Sequence, residues 1–233
     1  MVQRNRYELD KRPRGYCVII NNVKFTDGRY SDRPGANEDE SSLKQIFCDL
    51  FFTVIVERDL TKHQMENVAK KYGGQTDHST LNAFVMIVMS HGGDGDCILG
   101  VDGRETSVKD LMVEFQEQKC PSLKGKPKVF IIQTCRGSLQ DVQKKLRSPA
   151  GDVFSPAVAS TSTEEEDELY DAFTSDSTLL RSVFPRECHF ALAFVTVPGY
   201  VSYRRSKDGT YFIQVRNMRI YFLIAFFRNK NSR

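Results

Sequence analysis

The sequence predicts an α/β fold with a mainly parallel central sheet flanked by helices. The run Ala83–Met89 (AFVMIVM) is apolar at every position, as a strand covered on both faces of a parallel sheet should be, and Lys128–Gln133 (KVFIIQ), apolar through its middle four residues, reads as a second central strand. Around them, apolar residues recur at helical spacing behind capping residues, so strands and helices alternate along the chain. The composition, 40% apolar and 27% charged over 233 residues, is that of an ordinary globular protein with one sizeable core, not of a disordered chain.

Residues 16–21 (YCVIIN) read as the first buried strand. Asn37, with Glu40 three residues on, reads as the N-cap of a helix whose apolar face is Leu43, Ile46, Phe47 and Leu50. Residues 53–57 (TVIVE) form the next strand. Thr61 and Gln64 repeat the capping-box pattern ahead of Met65, Val68, Ala69 and Tyr72, and Gly73-Gly74 stops that helix. After the strand Ala83–Met89, Ser107 and Asp110 open a third helix carrying Leu111, Met112 and Phe115. Lys128–Gln133 is the second central strand and residues 190–195 (FALAFV) the third.

No run approaches the roughly 18 apolar residues that span a bilayer; the longest are Ala83–Met89 and 220–227. Residues 1–15 are basic and polar and hold no apolar stretch of signal-peptide length, so a cytoplasmic location without stable membrane insertion is expected. The six cysteines (17, 48, 97, 120, 135, 188) have no C-x-x-C spacing and read as free thiols. Charge is segmental. Residues 138–185 carry nine acids against four bases, including the run Glu164-Glu165-Glu166-Asp167-Glu168, and residues 204–233 carry eight bases against one acid. No nucleic-acid motif accompanies the basic segment, so nucleic acid is not an expected partner. The acidic segment is long for a loop and reads as functional or disordered.

Ligands of open α/β sheets sit beyond the carboxyl ends of the strands, and two central strands end in reactive residues. One runs into Ser90-His91-Gly92-Gly93, the other into Thr134-Cys135-Arg136-Gly137. A thiol needs a basic partner to supply thiolate near neutral pH, and glycines let substrate approach the backbone. A lone cysteine behind a buried strand is ordinarily an inert core thiol; a histidine at the same sheet edge makes it a candidate nucleophile. His63, His78 and His189 read as surface or boundary histidines.

The octapeptide Phe130-Ile-Ile-Gln-Thr-Cys-Arg-Gly137 closely resembles the caspase signature, with His91 standing 44 residues upstream of Cys135 where the family has about 50. Residues 13–22 (PRGYCVIINN) resemble the opening strand of a caspase catalytic domain, and 120–128 (CPSLKGKPK) the approach to its cysteine strand. Residues 198–204 (PGYVSYR) with 206–214 (SKDGTYFIQ) resemble the substrate-binding segment. The resemblance covers roughly residues 9–214, and the PRGYC and KCPSL phrases are most similar to the death-receptor initiator branch, with no recruitment prodomain expected ahead of them.

That resemblance implies a cysteine endopeptidase that cleaves after aspartate and acts in apoptosis or related proteolytic signalling. Cys135 would be the nucleophile and His91 the general base and acid, and the N–H groups of Gly92 and Cys135 would form the oxyanion hole. Arg33, Gln133 and Arg204 would build the aspartate pocket, where a guanidinium pairs a carboxylate bidentately. Ser202 and Arg204 would hold substrate backbone, with Tyr203 as an apolar wall. A zymogen is implied, with residues 9–171 as the large-subunit part, the acidic linker starting near 138, processing at Asp171 or Asp176, and 172–233 as the small-subunit part. Neither a metal nor a cofactor is implied.

Thr134 stands where the family usually has alanine, and Ala36-Asn37-Glu38 where it has Thr/Ser-Asp-x. The resemblance stops after residue 214, so residues 215–233 are expected to lack the helices and final strand of the family's small subunit and that truncated part to be incomplete. Caspases pair two catalytic units through that strand; without it a mainly monomeric or aggregating chain is expected. The alternative implied is a weak or inactive caspase-fold regulator that binds other caspases or adaptor proteins. A metacaspase or legumain-like peptidase would share the His-Gly and Cys strand ends, but the Arg33, Gln133 and Arg204 set argues against it.

Overall fold

The two apolar runs lie side by side at the centre of a five-stranded sheet. The computed structural model describes residues 7–93, 95–134 and 189–194, with the backbone of 204–205 and 209–210. In chain order the elements are β1 (Gly15–Asn21), α1 (Ala36–Asp49), β2 (Thr53–Arg58), α2 (Lys62–Tyr72), β3 (Ala83–Met89), β4 (Cys97–Leu99), β5 (Glu105–Ser107), α3 (Val108–Val113), β6 (Lys128–Gln133), β7 (Phe190–Phe194), β8 (Arg204–Arg205) and β9 (Gly209–Thr210). The main sheet has the order β2-β1-β3-β6-β7, and every pairing in it is parallel. Parallel neighbours need crossover connections, and α1 lies in the one between β1 and β2.

Every residue of β3 and β6 is buried. Successive side chains of a strand alternate between faces, and the two cores divide accordingly. Phe84, Met86 and Val88 join Phe130 and Ile132 beneath α2 and α3, packing on Met65, Met112 and Phe115. Val85, Ile87 and Met89 join Val129 and Ile131 beneath α1, packing on Leu43 and Phe47. Three aromatic rings anchor the first core. Phe84 stacks on Phe115 at 4.4 Å, and Phe115 meets Phe130 edge-on at 5.3 Å.

The sequence pattern predicts α2 closely. Thr61 caps it with a full capping box to Gln64, and Met65, Val68, Ala69 and Tyr72 are its buried residues. Ser107 caps α3, its side chain accepting from Asp110 N. The start of α1 is a correction. Its N-cap is Gly35, in the left-handed region at φ 81° with no side-chain cap, and Asn37 lies inside the first turn. A Pro34-Gly35 turn can take that backbone where other residues are disfavoured, and Ala36 N then donates to Arg33 O at 3.3 Å. Glu40 does not close a capping box; its buried carboxylate instead accepts from Asn21 Nδ2 at 3.0 Å and is paired with Arg58. The hairpin β4-β5 was not anticipated, since three-residue strands are too short to show an alternating pattern. Residue 195, expected to end the third central strand, lies outside the described residues.

His78 corrects a second expectation, because it is fully buried. Its Nε2–H donates to Tyr72 O at 2.6 Å, and its ring meets Tyr16 and Phe84 edge-on. Nδ1 has no hydrogen-bond partner among the described residues. Burial holds the imidazole below its ordinary range; the Tyr72 carbonyl offsets this in part and Lys126 adds to it. His78 is thus folded as the neutral base, while the unfolded chain binds a proton below about pH 6.5. Stability is therefore full above that pH and falls as the pH drops toward the depressed folded value. Urea midpoints should decline from pH 7.5 to 5 in the parent and decline less in His78→Gln.

Candidate active site

Parallel strands deliver their carboxyl ends to one edge, and the β3–β6 register pairs Met89 with Gln133. Ser90 N extends the pairing by donating to Gln133 O at 3.2 Å. His91 follows two residues beyond Met89, at this edge of the sheet, and in the sequence Cys135 is the second residue after Gln133. Cys135 itself lies outside the described residues.

Buried Asn22, just past β1, ties the neighbouring segments together. Its N–H donates to Met89 O at 2.9 Å, and its Oδ1 accepts from Leu60 N at 2.9 Å. Its Nδ2 donates to Leu99 O at 3.1 Å and Ser90 Oγ at 3.3 Å, while Ser90 Oγ donates to Leu99 O at 2.6 Å. These bonds fix the ends of β1 and β3 against β4 and set the half-buried His91 at the rim.

His91 Nε2 lies 2.8 Å from Ser31 O. A carbonyl oxygen only accepts, so Nε2 carries the hydrogen and Nδ1 is left as the basic nitrogen. The ring packs on Phe25 at 4.7 Å and Tyr30 at 5.7 Å. Gly92 bridges to Ile98, Gly93 N donates to Cys97 O at 2.9 Å, and Leu99 N donates to His91 O at 3.0 Å. Phe25, Tyr30 and Ser31 were not foreseen from the sequence. A backbone carbonyl leaves no mark in residue type, and two aromatics in an irregular loop leave little more.

Arg33 and Gln133 are buried at this same edge, 3% and 2% exposed. A buried guanidinium is unusual unless something organises it; Arg33 Nη1 donates to Asn22 O at 2.7 Å, and its own N–H donates to Val23 O at 2.9 Å. Gln133 Nε2 donates to Asp39 Oδ2 at 3.4 Å, from a carboxylate buried in the first turn of α1. Sequence reasoning missed Asp39, whose position in a helix first turn reads as an ordinary dipole-complementing acid. Thr134 is buried beside Gln133. Arg204 lies in the β8-β9 hairpin, with β9 beside α1; only its backbone is described. Ser202, Tyr203, Asp171 and Asp176 lie outside the described residues.

Among the described thiols, Cys17 and Cys120 are poor candidates for a nucleophile's role. Burial pushes Cys17 well up, with Cys48 adding to it. Burial also pushes Cys120 up, partly offset by Ser122. Raised thiols supply little thiolate. Cys48 is exposed and Cys97 half-buried. No helix among the described residues is long and apolar enough to cross a membrane.

Comparison with known proteins agrees with this architecture. The Caspase domain family model matches residues 14–215. Caspase-8 of Rattus norvegicus is 36% identical over 218 residues, covering 90% of this chain and 42% of that protein. Caspase-10 of Homo sapiens is 33% identical over 208 residues, covering 89% and 36%. Caspase-3 of Felis catus is 33% identical over 211 residues, covering 90% and 66%. The chain thus spans about two fifths of the length of its caspase-8 and caspase-10 relatives. A family match over most of the chain, on a parallel sheet with His91 and the cysteine strand at one edge, establishes that this chain belongs to the caspase family.

Proposed function

We propose that the chain is a cysteine endopeptidase that cleaves protein substrates after aspartate and serves apoptotic proteolysis. The observation that carries this reading is the pairing of Met89 with Gln133, which brings His91, with its Nε2–H committed to Ser31 O, to the edge where the Cys135 strand ends. The thiol proton passes from Cys135 Sγ to His91 Nδ1, and the thiolate attacks the carbonyl carbon of the aspartyl residue. N–H groups of Gly92 and Cys135 hold the developing oxyanion. His91 returns the proton to the leaving amine as the C–N bond breaks, leaving a thioester. Water, deprotonated by His91, then releases the acid and restores the thiol.

Selectivity in this reading comes from Arg33, Gln133 and Arg204. The burial of Arg33 and Gln133 at the same edge supports it, since a desolvated guanidinium favours a carboxylate over a neutral amide of the same shape. Ser202 and the Arg204 backbone would hold the peptide as an added strand, with Tyr203 as its wall. Asp171 and Asp176, in the acidic segment, are the proposed maturation cuts between parts 9–171 and 172–233. The test is turnover of matched peptides ending in Asp, Asn or Lys. Cleavage confined to Asp supports the reading, and preference for Asn or Lys refutes it.

A further inference from the structure

His91 is held by more than the Ser31 carbonyl. Its ring centre lies 4.7 Å from that of Phe25 at 55° and 5.7 Å from that of Tyr30 at 31°, and those two rings are 6.0 Å apart. All three side chains are half-buried. The loop that carries the aromatics is fixed from both sides. Thr26 N donates to Val101 O at 2.9 Å, Arg29 Nη2 donates to Gly103 O at 3.1 Å, and Phe25 N donates to Asp32 Oδ1 at 3.1 Å. The Arg29 guanidinium sits 5.6 Å from the Tyr30 ring centre, its charge paired with Asp27 at 2.7 Å.

We propose that Tyr30, backed by Phe25, is a positioning residue for His91. The two rings hold the imidazole at the tilt its bond to Ser31 O requires, and they stabilise the imidazolium once Nδ1 has taken the proton of Cys135. That transfer leaves a thiolate and a cationic ring. An aromatic face attracts a cation through its quadrupole, and it does much less for a neutral ring. The aromatics therefore favour the ion pair over the neutral thiol and imidazole. Among the described residues, Asp27, Arg29 and Asp32 are charged groups of the loop that carries the aromatics, and Glu105 of β5 lies against Gly93. The loop acids and Glu105 act on the cation without regard to whether residue 30 is aromatic, so the π contribution is separable by substitution. This inference rests on the cysteine-peptidase reading, and the Tyr30 hydroxyl has no part in it.

The test uses the whole chain with Tyr30→Phe, Tyr30→Leu and Tyr30→Met. Iodoacetamide alkylation of Cys135 at neutral pH, followed by mass spectrometry, reads the thiolate without any peptide; exposed Cys48 is the internal reference. The expected result is that the Leu and Met variants alkylate Cys135 about two- to fivefold more slowly. They should lose kcat on an aspartyl peptide by the same factor with KM unchanged, while Tyr30→Phe matches the parent. Alkylation at the parental rate in both aliphatic variants overturns the inference, as does an equal loss in Tyr30→Phe. A parent that alkylates readily at Cys135 but cleaves no aspartyl peptide defeats the substrate reading alone, and the alkylation ratios still decide this one.

Discussion

His91→Ala should lower turnover of an aspartyl peptide by about a thousandfold or more, with urea unfolding close to the parent's. The fold tolerates the change because His91 is a half-buried rim residue whose backbone carries the β-bridge region, its carbonyl accepting from Leu99 N. What is lost is the basic nitrogen. With Nε2–H spent on Ser31 O, Nδ1 alone can accept the thiol proton and deliver it to the leaving amine. Cys135→Ala should lose as much, and the double variant little more, since the pair acts as one unit. Single-turnover rates on the three proteins provide the check. Additive losses would mean that the two residues do not share a step.

Arg33→Lys should lower kcat/KM on aspartyl peptides by about a hundredfold and narrow the preference for Asp over Asn. The charge is retained, so loss of electrostatic attraction cannot explain the effect. A lysine supplies a point charge and cannot reproduce a planar fork that bonds Asn22 O at 2.7 Å and, in the proposed pocket, would turn further N–H groups to the substrate carboxylate. Burial at 3% exposure sharpens the demand, because an imperfectly paired cation is costly out of water. Comparing matched Asp and Asn peptides separates selectivity from general damage. Equal losses on both would mean that Arg33 supports the fold and takes no part in choosing the substrate.

Much of this arrangement was legible before any coordinates. Fully apolar β3 and the apolar centre of β6 (residues 129–132) read as central strands, and the residues that follow them named the edge where chemistry would sit. Capping at Thr61 and Ser107 was readable because a side-chain cap leaves a residue-type signature. The start of α1 was not, because Gly35 caps through backbone conformation alone, and Asn37 offered a false cap two residues later. His78 misled because histidine composition says nothing of burial; a carbonyl at Tyr72 and two aromatic rings made its interior position possible. The same limit hid Ser31, a backbone acceptor, and Asp39, whose link to Gln133 joins positions 94 residues apart.

Covalent labelling tests the central claim most directly. A short peptide ending in an aspartyl fluoromethyl ketone reacts only where a thiolate, a proton-shuttling histidine and a carboxylate-binding pocket coincide. Exposed Cys48 and half-buried Cys97 serve as thiols outside that arrangement. Mass spectrometry should find one label, on Cys135, that is slowed by His91→Ala and by Arg33→Lys and is matched by neither an asparaginyl nor a lysyl reagent. Labelling spread over Cys48 and Cys97, or equal labelling of Cys135 by the lysyl reagent, would contradict an aspartate-directed cysteine peptidase.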